Sequence, residues 1–190
     1  HCPYRGEIIH KDKKAGWRGI IKLVRQLRKT RYDVIVDLRT DGLAYLLRAR
    51  KRLTKWGAKA TGPHSVQQHM GVIAGINDGT TPNTRVWLTD TLRHKAKAIL
   101  KDLPGPRRLA IGPGANWEGK IWPLAHFRSL IIALQDKFDA IILLGGPKDN
   151  ERCQQLSQGL PLPCINLAGK TSLLESIAIM ETCQLFVGND

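Results

Sequence analysis

Residues 109–123 have the residue types and order of a loop that can bind a phosphate group. A short apolar run leads into the turn Gly112-Pro113-Gly114, and Lys120 follows just before an amphipathic run. This order predicts a strand, a glycine-rich loop, a cation and a helix. Glycines allow the backbone to approach a ligand closely, so N–H groups, a helix N-terminus and the lysine can all face one phosphate.

Single residues argue against two familiar nucleotide-binding motifs. The dinucleotide fingerprint needs a third glycine at position 117, where this chain has Trp117. The run GKTS at 169–172 is similar to the end of a P-loop, but that motif needs a glycine at position 164, which is Cys164. Neither a Rossmann dehydrogenase nor a P-loop NTPase is therefore favoured.

The second half of the chain alternates between short apolar runs and helical runs of about ten residues, a pattern typical of a doubly wound parallel sheet. The predicted strands are 109–111, 140–144, 164–167 and 185–187, and the predicted helices are 124–136, 150–158 and 172–181. Ligands bind at the carboxyl ends of the strands in such α/β sheets.

All four of these carboxyl ends contain glycine and polar residues, which together suit a nucleotide-sugar. Backbone N–H groups and lysines can bind phosphates, and Asp149 and Asp190 can accept hydrogen bonds from ribose or sugar hydroxyls. The candidate donor-binding residues are Gly114, Ala115, Asn116, Lys120, Gly145, Gly146, Asp149, Lys170, Thr171, Ser172 and Asp190.

The composition indicates a globular protein of one large or two small domains, with 190 residues, 42% of them hydrophobic and 24% charged. No apolar run approaches the roughly 20 residues of a membrane-spanning helix. We place a domain junction at Pro104-Gly105-Pro106, between residues 1–104 and 105–190. Because the chain lacks a starting methionine and stops after a strand-like run, we expect an internal fragment of a longer protein.

Positive charge is concentrated in the first half of the chain. Residues 1–104 hold 22 Lys and Arg against 8 Asp and Glu, whereas residues 105–190 hold 8 of each. Such asymmetry favours an anionic partner, such as a membrane surface, lipid phosphate or nucleic acid, over an ordinary solvated surface. The densest cluster falls in a predicted helix over 43–53 and comprises Arg48, Arg50, Lys51 and Arg52.

A nucleic-acid-binding protein is the rival class, and it requires aromatic residues between the cations for base stacking. Few aromatics lie near the basic runs, and Tyr32 opens a predicted buried strand over 32–38. The four cysteines form no C-x-x-C pair, and no histidine lies at metal-ligand spacing from them. We therefore expect no metal site, and reduced, structural thiols.

Five segments resemble motifs of the bacterial ADP-heptose:lipopolysaccharide heptosyltransferases, glycosyltransferase family 9. They are PGA at 113–115 with KIWP at 120–123, ILLGGPKD at 142–149, NLAGKTSL at 166–173 with Glu175, LFVGND at 185–190, and RYDVIVDL at 31–38. The resemblance covers most of the chain and is most specific in residues 109–190.

The resemblance implies a GT-B fold, in which two Rossmann-like α/β domains with doubly wound parallel sheets face each other. Both domains would be incomplete here: residues 1–104 would be the later part of the acceptor domain, and residues 105–190 the first part of the donor domain. The implied reaction is inverting, metal-independent and cofactor-free transfer of heptose from ADP-heptose to the lipopolysaccharide inner core. The enzyme would be cytoplasmic and peripheral to the inner membrane, with its basic half toward the phosphate-bearing acceptor.

The resemblance also assigns roles to single residues. Lys120 would meet the donor diphosphate, Ala115 and Asn116 would line the phosphate loop, and Asp149 would bind the ribose. Thr171 would lie beside the adenine and Asp190 near the sugar.

The family's candidate base, in an N-terminal Gly-Asp motif, is missing from this sequence, as are the Ser-Gly and His that follow the final Asn-Asp. We therefore name no catalytic residue and expect the fragment alone to be inactive. A glycosyltransferase of the same fold with a UDP or GDP donor remains the alternative.

Overall fold

The computed structural model describes residues 2, 4, 6–10, 12, 14–40, 42–59, 62–74 and 80–189. Asp190, one of the candidate donor-binding residues, lies outside them. The chain divides into two compact units, residues 2–86 and residues 87–190.

The first unit contains a small parallel sheet and two helices. Its elements are α1 (Gly16–Leu27), β1 (Tyr32–Asp37), β2 (Ala49–Thr54) and α2 (Ser65–Val72), with short 3-10 helices at Leu43–Leu46 and Lys55–Gly57. Strands β1 and β2 pair in parallel, with Val34 opposite Lys51. Val34 and Val36 remain 41% and 40% exposed. The prediction of a buried strand over residues 32–38 is therefore wrong in its burial: the strand forms, but its valines are exposed to solvent.

The predicted helix over residues 43–53 is also wrong. A 3-10 turn at Leu43–Leu46 leads into strand β2 instead. The Arg52 guanidinium links the two elements, donating to the carbonyl oxygens of Ala44 at 3.0 Å and Leu47 at 2.7 Å. Pairing with β1 thus outweighs the local helix preference of a Leu-, Ala- and Arg-rich run.

The second unit is a four-stranded parallel sheet with helices on both faces. Its elements are α3 (Asp90–Ile99), β3 (Arg108–Gly112), α4 (Leu124–Leu134), β4 (Ala140–Leu143), α5 (Asn150–Ser157), β5 (Cys164–Asn166), α6 (Leu173–Met180) and β6 (Leu185–Gly188). The strand order is β5-β4-β3-β6, and every pair is parallel. The predicted α/β fold with parallel sheets is confirmed.

Alternate residues of the central strands face opposite sides of this sheet, as the two-residue period of a strand requires. Ile141 belongs to a buried cluster with Phe127 of α4 and Cys153 of α5. Its neighbour Ile142 belongs to a second buried cluster with Ile179 of α6. Burial raises the pKa of the Cys153 thiol to about 12, so this cysteine stays protonated and acts as an apolar core residue.

Helix α3 belongs to the second unit, although it precedes the predicted junction at residue 104. It packs against α6, and the Arg93 guanidinium lies 2.8 Å from a Glu181 carboxylate oxygen. The prolines and glycine at 104–106 form the connection between α3 and β3. The second unit therefore begins earlier in the chain than the change in charge suggests.

Candidate functional site

Two adjoining cavities lie at the carboxyl ends of the strands in the second unit. The first has a volume of about 380 Å³ and is lined in part by Leu144, Gly145, Thr171, Leu173, Ser176, Met180 and Phe186. The second has a volume of about 650 Å³ and is lined in part by Ala115, Asn116, Pro147 and Lys148. Gly114, Gly146, Asp149 and Asn189 line both cavities, so these four residues form their common wall.

Asp149 is held at the centre of this wall by glycines. Its Oδ2 accepts a hydrogen bond of 2.8 Å from the backbone N–H of Gly146. A Cβ atom on Gly114 would lie 2.0 Å from Asp149 Oδ1, and one on Gly145 would lie 2.7 Å from Asp149 Cβ. Two loops can therefore close around the carboxylate only because glycine stands at positions 114 and 145.

The glycine loop, residues 112–116, leaves β3 and borders both cavities. The backbone N–H groups of Gly114, Ala115 and Asn116 make no hydrogen bond with any described residue. Neighbouring N–H groups of this kind form an anion-binding concavity when they face the same side.

The other end of the first cavity is mainly apolar. Leu173, Met180 and Phe186 line it, and Phe186 is 48% exposed. The hydroxyls of Thr171 and Ser176 lie 2.8 Å apart at the same wall. Apolar side chains with a few placed polar groups are typical of a pocket for a flat organic ring.

Sequence reasoning missed several residues of this site. Ser176 and Met180 are separated by four positions, so they lie on one face of helix α6, and this spacing was the available signal. Asn189 follows β6 at the same sheet edge and bonds to two separate segments. The sequence places it beside the edge, but the contacts of its amide depend on the folded loops.

Seven of the predicted donor-binding residues line the two cavities: Gly114, Ala115, Asn116, Gly145, Gly146, Asp149 and Thr171. Three others do not line them. Lys170 Nζ donates to the Asn166 carbonyl oxygen at 2.9 Å, and Lys120 ends the exposed 3-10 turn Glu118–Lys120.

Ser172 is the third, and it caps helix α6. Its hydroxyl donates to Glu175 Oε2 at 2.8 Å and accepts from the Glu175 backbone N–H at 3.3 Å. The backbone N–H and the hydroxyl of Ser172 lower the pKa of the Glu175 carboxyl.

The predicted cation cluster lies on and beside strand β2, and its members differ in their contacts. Arg50 forms an exposed ion pair with Asp33 at 3.3 Å. Arg52 holds the carbonyls of the preceding turn, as described above, which makes it a structural residue. Arg48 and Lys51 are exposed.

Helix α1 carries a second row of cations that sequence analysis did not single out. Arg18, Lys22 and Arg25 line a shallow depression of about 350 Å³ together with Ile21. The helix contains no Asp or Glu, so the row is not neutralised from within α1.

Among the described residues, no three His, Cys, Asp or Glu side chains form a group able to hold a metal ion. No helix of the described chain has both the length and the apolar character needed to cross a membrane.

Comparison with known proteins identifies the family. The family model for glycosyltransferase family 9 (heptosyltransferase) matches residues 42–190. The chain belongs to this family. It is 27% identical over 202 residues to lipooligosaccharide heptosyltransferase 2 of Haemophilus influenzae, a match that covers 99% of this chain and 50% of that protein. The chain thus spans about half the length of the curated relatives it matches.

Solved structures of heptosyltransferase-family proteins share the fold. The glycosyltransferase family 9 protein from Veillonella parvula superposes with a TM-score of 0.76 at 17% identity, over 98% of this chain and 62% of that one. The E. coli heptosyltransferase WaaC with ADP superposes with a TM-score of 0.59 at 20% identity, over 93% of this chain and 62% of that one. The GT-B-like class predicted from the sequence motifs is therefore confirmed.

Proposed function

We propose that the protein containing this chain transfers heptose from ADP-heptose to the inner core of lipopolysaccharide, with inversion and without a metal ion. Family membership supports the reaction class. The observation that carries the proposal is the pair of cavities around Asp149, which joins an apolar slot to a loop whose backbone N–H groups bond to no described residue. The apolar slot, the Asp149 carboxylate and the glycine loop follow one another in the order of the nucleobase, ribose and diphosphate of a nucleotide.

The donor is assigned to the cavities from its base outward. The adenine lies in the slot beside Leu173 and Met180, next to the Thr171 hydroxyl. The Asp149 carboxylate accepts from a ribose hydroxyl, because a carboxylate with one oxygen bound by Gly146 still has acceptor positions. The diphosphate lies against the N–H groups of the glycine loop.

The chemical step requires stabilisation of charge that develops on the departing ADP. Backbone N–H groups fixed in place provide this stabilisation without rearrangement during the reaction. We assign Lys120 as the cation for the same diphosphate, and Asp190 to the sugar. A general base must remove the proton of the acceptor hydroxyl, and we assign it to a part of the protein outside this chain.

We further propose that the basic unit, residues 2–86, faces the phosphate-bearing acceptor at the inner-membrane surface. Each Lys or Arg near an anionic surface contributes about 1 kcal/mol. We assign exposed cations of this unit, Arg48, Lys51 and the row on α1, to this contact.

The test measures binding and transfer with the full-length protein. Calorimetry with ADP, UDP and GDP should show ADP binding at least tenfold tighter than the other two. Heptose transfer from ADP-heptose to a heptose-free core acceptor should persist in EDTA. Preference for UDP or GDP would assign a different donor, and the absence of transfer would overturn the proposal.

A matched pair of lysine variants tests the role of Lys120. A charge-assisted hydrogen bond contributes about 1.5–3 kcal/mol, so Lys120→Ala should weaken ADP binding roughly tenfold or more. Lys137→Ala removes an exposed lysine of the same unit, away from both cavities, and should leave ADP affinity unchanged. Equal affinities of the two variants would remove Lys120 from the diphosphate site.

A further inference from the structure

The amide of Asn189 bonds to two segments that both lie more than 60 residues before it in the chain. Its Oδ1 accepts from the backbone N–H of Trp122 at 3.0 Å. Its Nδ2 donates to the carbonyl oxygens of Pro113 at 3.0 Å and Gly114 at 3.3 Å. One side chain at the end of β6 thus joins the glycine loop to the segment that carries Lys120.

The partners fix which end of the amide faces which segment. A backbone N–H can only donate, and the two carbonyl oxygens can only accept. The amide therefore has a single orientation in which all three contacts are favourable. Aspartate, leucine and alanine each lack a donor that could replace the contacts to Pro113 and Gly114.

The contacts of Asn189 also set the direction of the loop's donors. Across a trans peptide the carbonyl and the following N–H point in opposite directions. Because the carbonyls of Pro113 and Gly114 face Asn189, the N–H groups of Gly114 and Ala115 point away from it. These are among the N–H groups that no described residue uses.

The other contact of Asn189 anchors the Lys120 segment. The Trp122 ring packs edge-on against Phe127, with a centroid distance of 4.9 Å, and lies 5.3 Å from the His126 ring. Phe127 is a residue of α4, and its side chain is buried in the core. Trp122 is therefore fixed on one side by the core and on the other by Asn189, only two residues after Lys120.

We propose that Asn189 is a positioning residue for the donor diphosphate. It holds the loop N–H groups and the Lys120 segment in one geometry, so that both act on the same phosphate groups. This inference rests on the proposed function, because that proposal assigns the diphosphate to this loop.

Asn166 offers a matched control for a purely structural amide. It also ends a strand of the same sheet, its Oδ1 accepts from Ala168 N–H at 3.0 Å, and its Nδ2 donates to Asn150 Oδ1 at 3.1 Å. It lines neither cavity. Its loss should therefore lower stability without a specific effect on phosphate binding.

The experiment compares ADP with adenosine, which has the same base and ribose but no phosphate. In the full-length protein, Asn189→Ala should weaken ADP binding at least tenfold while adenosine binding changes less than twofold. Asn189→Ser, which keeps one short polar group, should give an intermediate loss of ADP affinity and guards against a variant that fails to fold. Asn166→Ala should lower the melting temperature but leave the ratio of the two affinities at its wild-type value.

Two outcomes would overturn the inference while leaving the proposed function in place. One is ADP affinity within twofold of wild type in both Asn189 variants. The other is an equal loss of ADP and adenosine affinity, which would make Asn189 a general structural residue. Failure of the wild-type protein to bind ADP would instead overturn the proposed function, and this inference with it.

Discussion

The two units of the chain are built from the same kind of parallel strand pairing but differ in burial and charge. In residues 87–190 the central strands are covered on both faces, and the four residues of β4 are fully buried. In residues 2–86, strand β1 keeps two exposed valines, Val34 and Val36. The first 86 residues hold 18 Lys and Arg against 6 Asp and Glu, whereas residues 87–190 hold 12 against 10.

This contrast separates two tasks that the proposed reaction requires. Small polar contacts to a nucleotide need fixed loops, and loops are fixed when the strands that end in them belong to a packed core. Attraction to an anionic surface needs only exposed cations, because it acts over several ångströms and tolerates motion. The buried unit therefore suits donor recognition, and the basic unit suits contact with a charged acceptor.

The largest expected difference between the units concerns core truncation. Ile142→Ala removes a fully buried side chain from β4 and should lower the free energy of unfolding by about 2–5 kcal/mol. Val36→Ala in β1 alters a side chain that is 40% exposed, so the loss should be under about 1 kcal/mol. Urea denaturation of both variants measures the difference. Equal losses would mean that burial does not distinguish the two sheets.

The second test compares one glycine from each unit. A Cβ at Gly114 would lie 2.0 Å from Asp149 Oδ1, whereas nothing lies within 4 Å of a Cβ at Gly57. Gly114→Ala should displace the carboxylate and weaken ADP binding about 100-fold, or about 2.7 kcal/mol. Gly57→Ala should leave ADP affinity unchanged. Calorimetry with ADP measures both variants, and a normal affinity of Gly114→Ala would separate Asp149 from donor binding.

The second unit was largely predictable from the sequence, because its strands are continuous apolar runs that end in glycine. The beginnings of β3 and β4 were placed to within one residue of the structure. Such runs have one stable environment, the centre of a sheet covered on both faces. The position of Asp149 near the glycine loop followed from the rule that strand ends share one edge.

The first unit was harder to predict, because local preferences and tertiary contacts disagree there. Residues 43–53 contain good helix formers, yet β2 forms by pairing with β1, a non-local contact.

Two polar residues of the candidate site differ in how far the sequence predicts their contacts. The capping role of Ser172 depends on a hydrogen bond to Glu175 and could be anticipated from the spacing alone. The contacts of Asn189 could not be anticipated from the sequence, because Asn189 lies over 60 residues after the loop residues to which it bonds.

The third prediction concerns the cations of the basic unit. Replacing Arg48 and Lys51 with Gln should weaken binding of the full-length protein to vesicles rich in phosphatidylglycerol by roughly fivefold per residue, since each cation contributes about 1 kcal/mol. The effect should shrink as salt concentration rises. Lys137→Gln, in the second unit, is the control and should bind like wild type.

Arg52→Gln sharpens this test within the same cluster. Arg52 donates to the carbonyls of Ala44 and Leu47. Its loss should therefore lower the melting temperature more than the loss of Arg48 or Lys51 does, and should weaken vesicle binding less than their loss does. Vesicle binding that is insensitive to salt and to the Arg48 and Lys51 variants would contradict the proposed role of the basic unit.

The smallest expected effect concerns the loss of stability in acid. It tests a property that the two units share, which is a carboxyl whose pKa is lowered by hydrogen bonds. Hydrogen bonds from the Ser172 backbone and hydroxyl lower the pKa of Glu175 from its ordinary value of 4.5. In the first unit, burial acts to raise the pKa of Asp37, but hydrogen bonds from Thr40, Arg39 and Ala44 lower it overall. A carboxyl whose pKa is lower in the folded state stabilises that state above the unfolded pKa, and this contribution disappears as pH falls through the folded pKa.

The contribution of each carboxyl to stability should therefore be fully present above its ordinary pKa, 4.5 for Glu175 and 3.8 for Asp37, and should be lost as pH falls through its lower pKa in the folded state. Glu175→Gln and Asp37→Asn should each lower the urea midpoint near pH 6. The difference in midpoint from wild type should narrow as the solution is acidified, because the wild-type carboxyl becomes protonated as pH falls through its folded pKa. Glu118→Gln, at an exposed glutamate of the second unit, is the control. If the difference in urea midpoint between wild type and variant stayed the same at every pH, ionisation of that carboxyl would make no contribution to stability. If the difference in urea midpoint narrowed for only one of Glu175 and Asp37, the units would differ in the electrostatic role of their carboxyls as well as in burial and net charge.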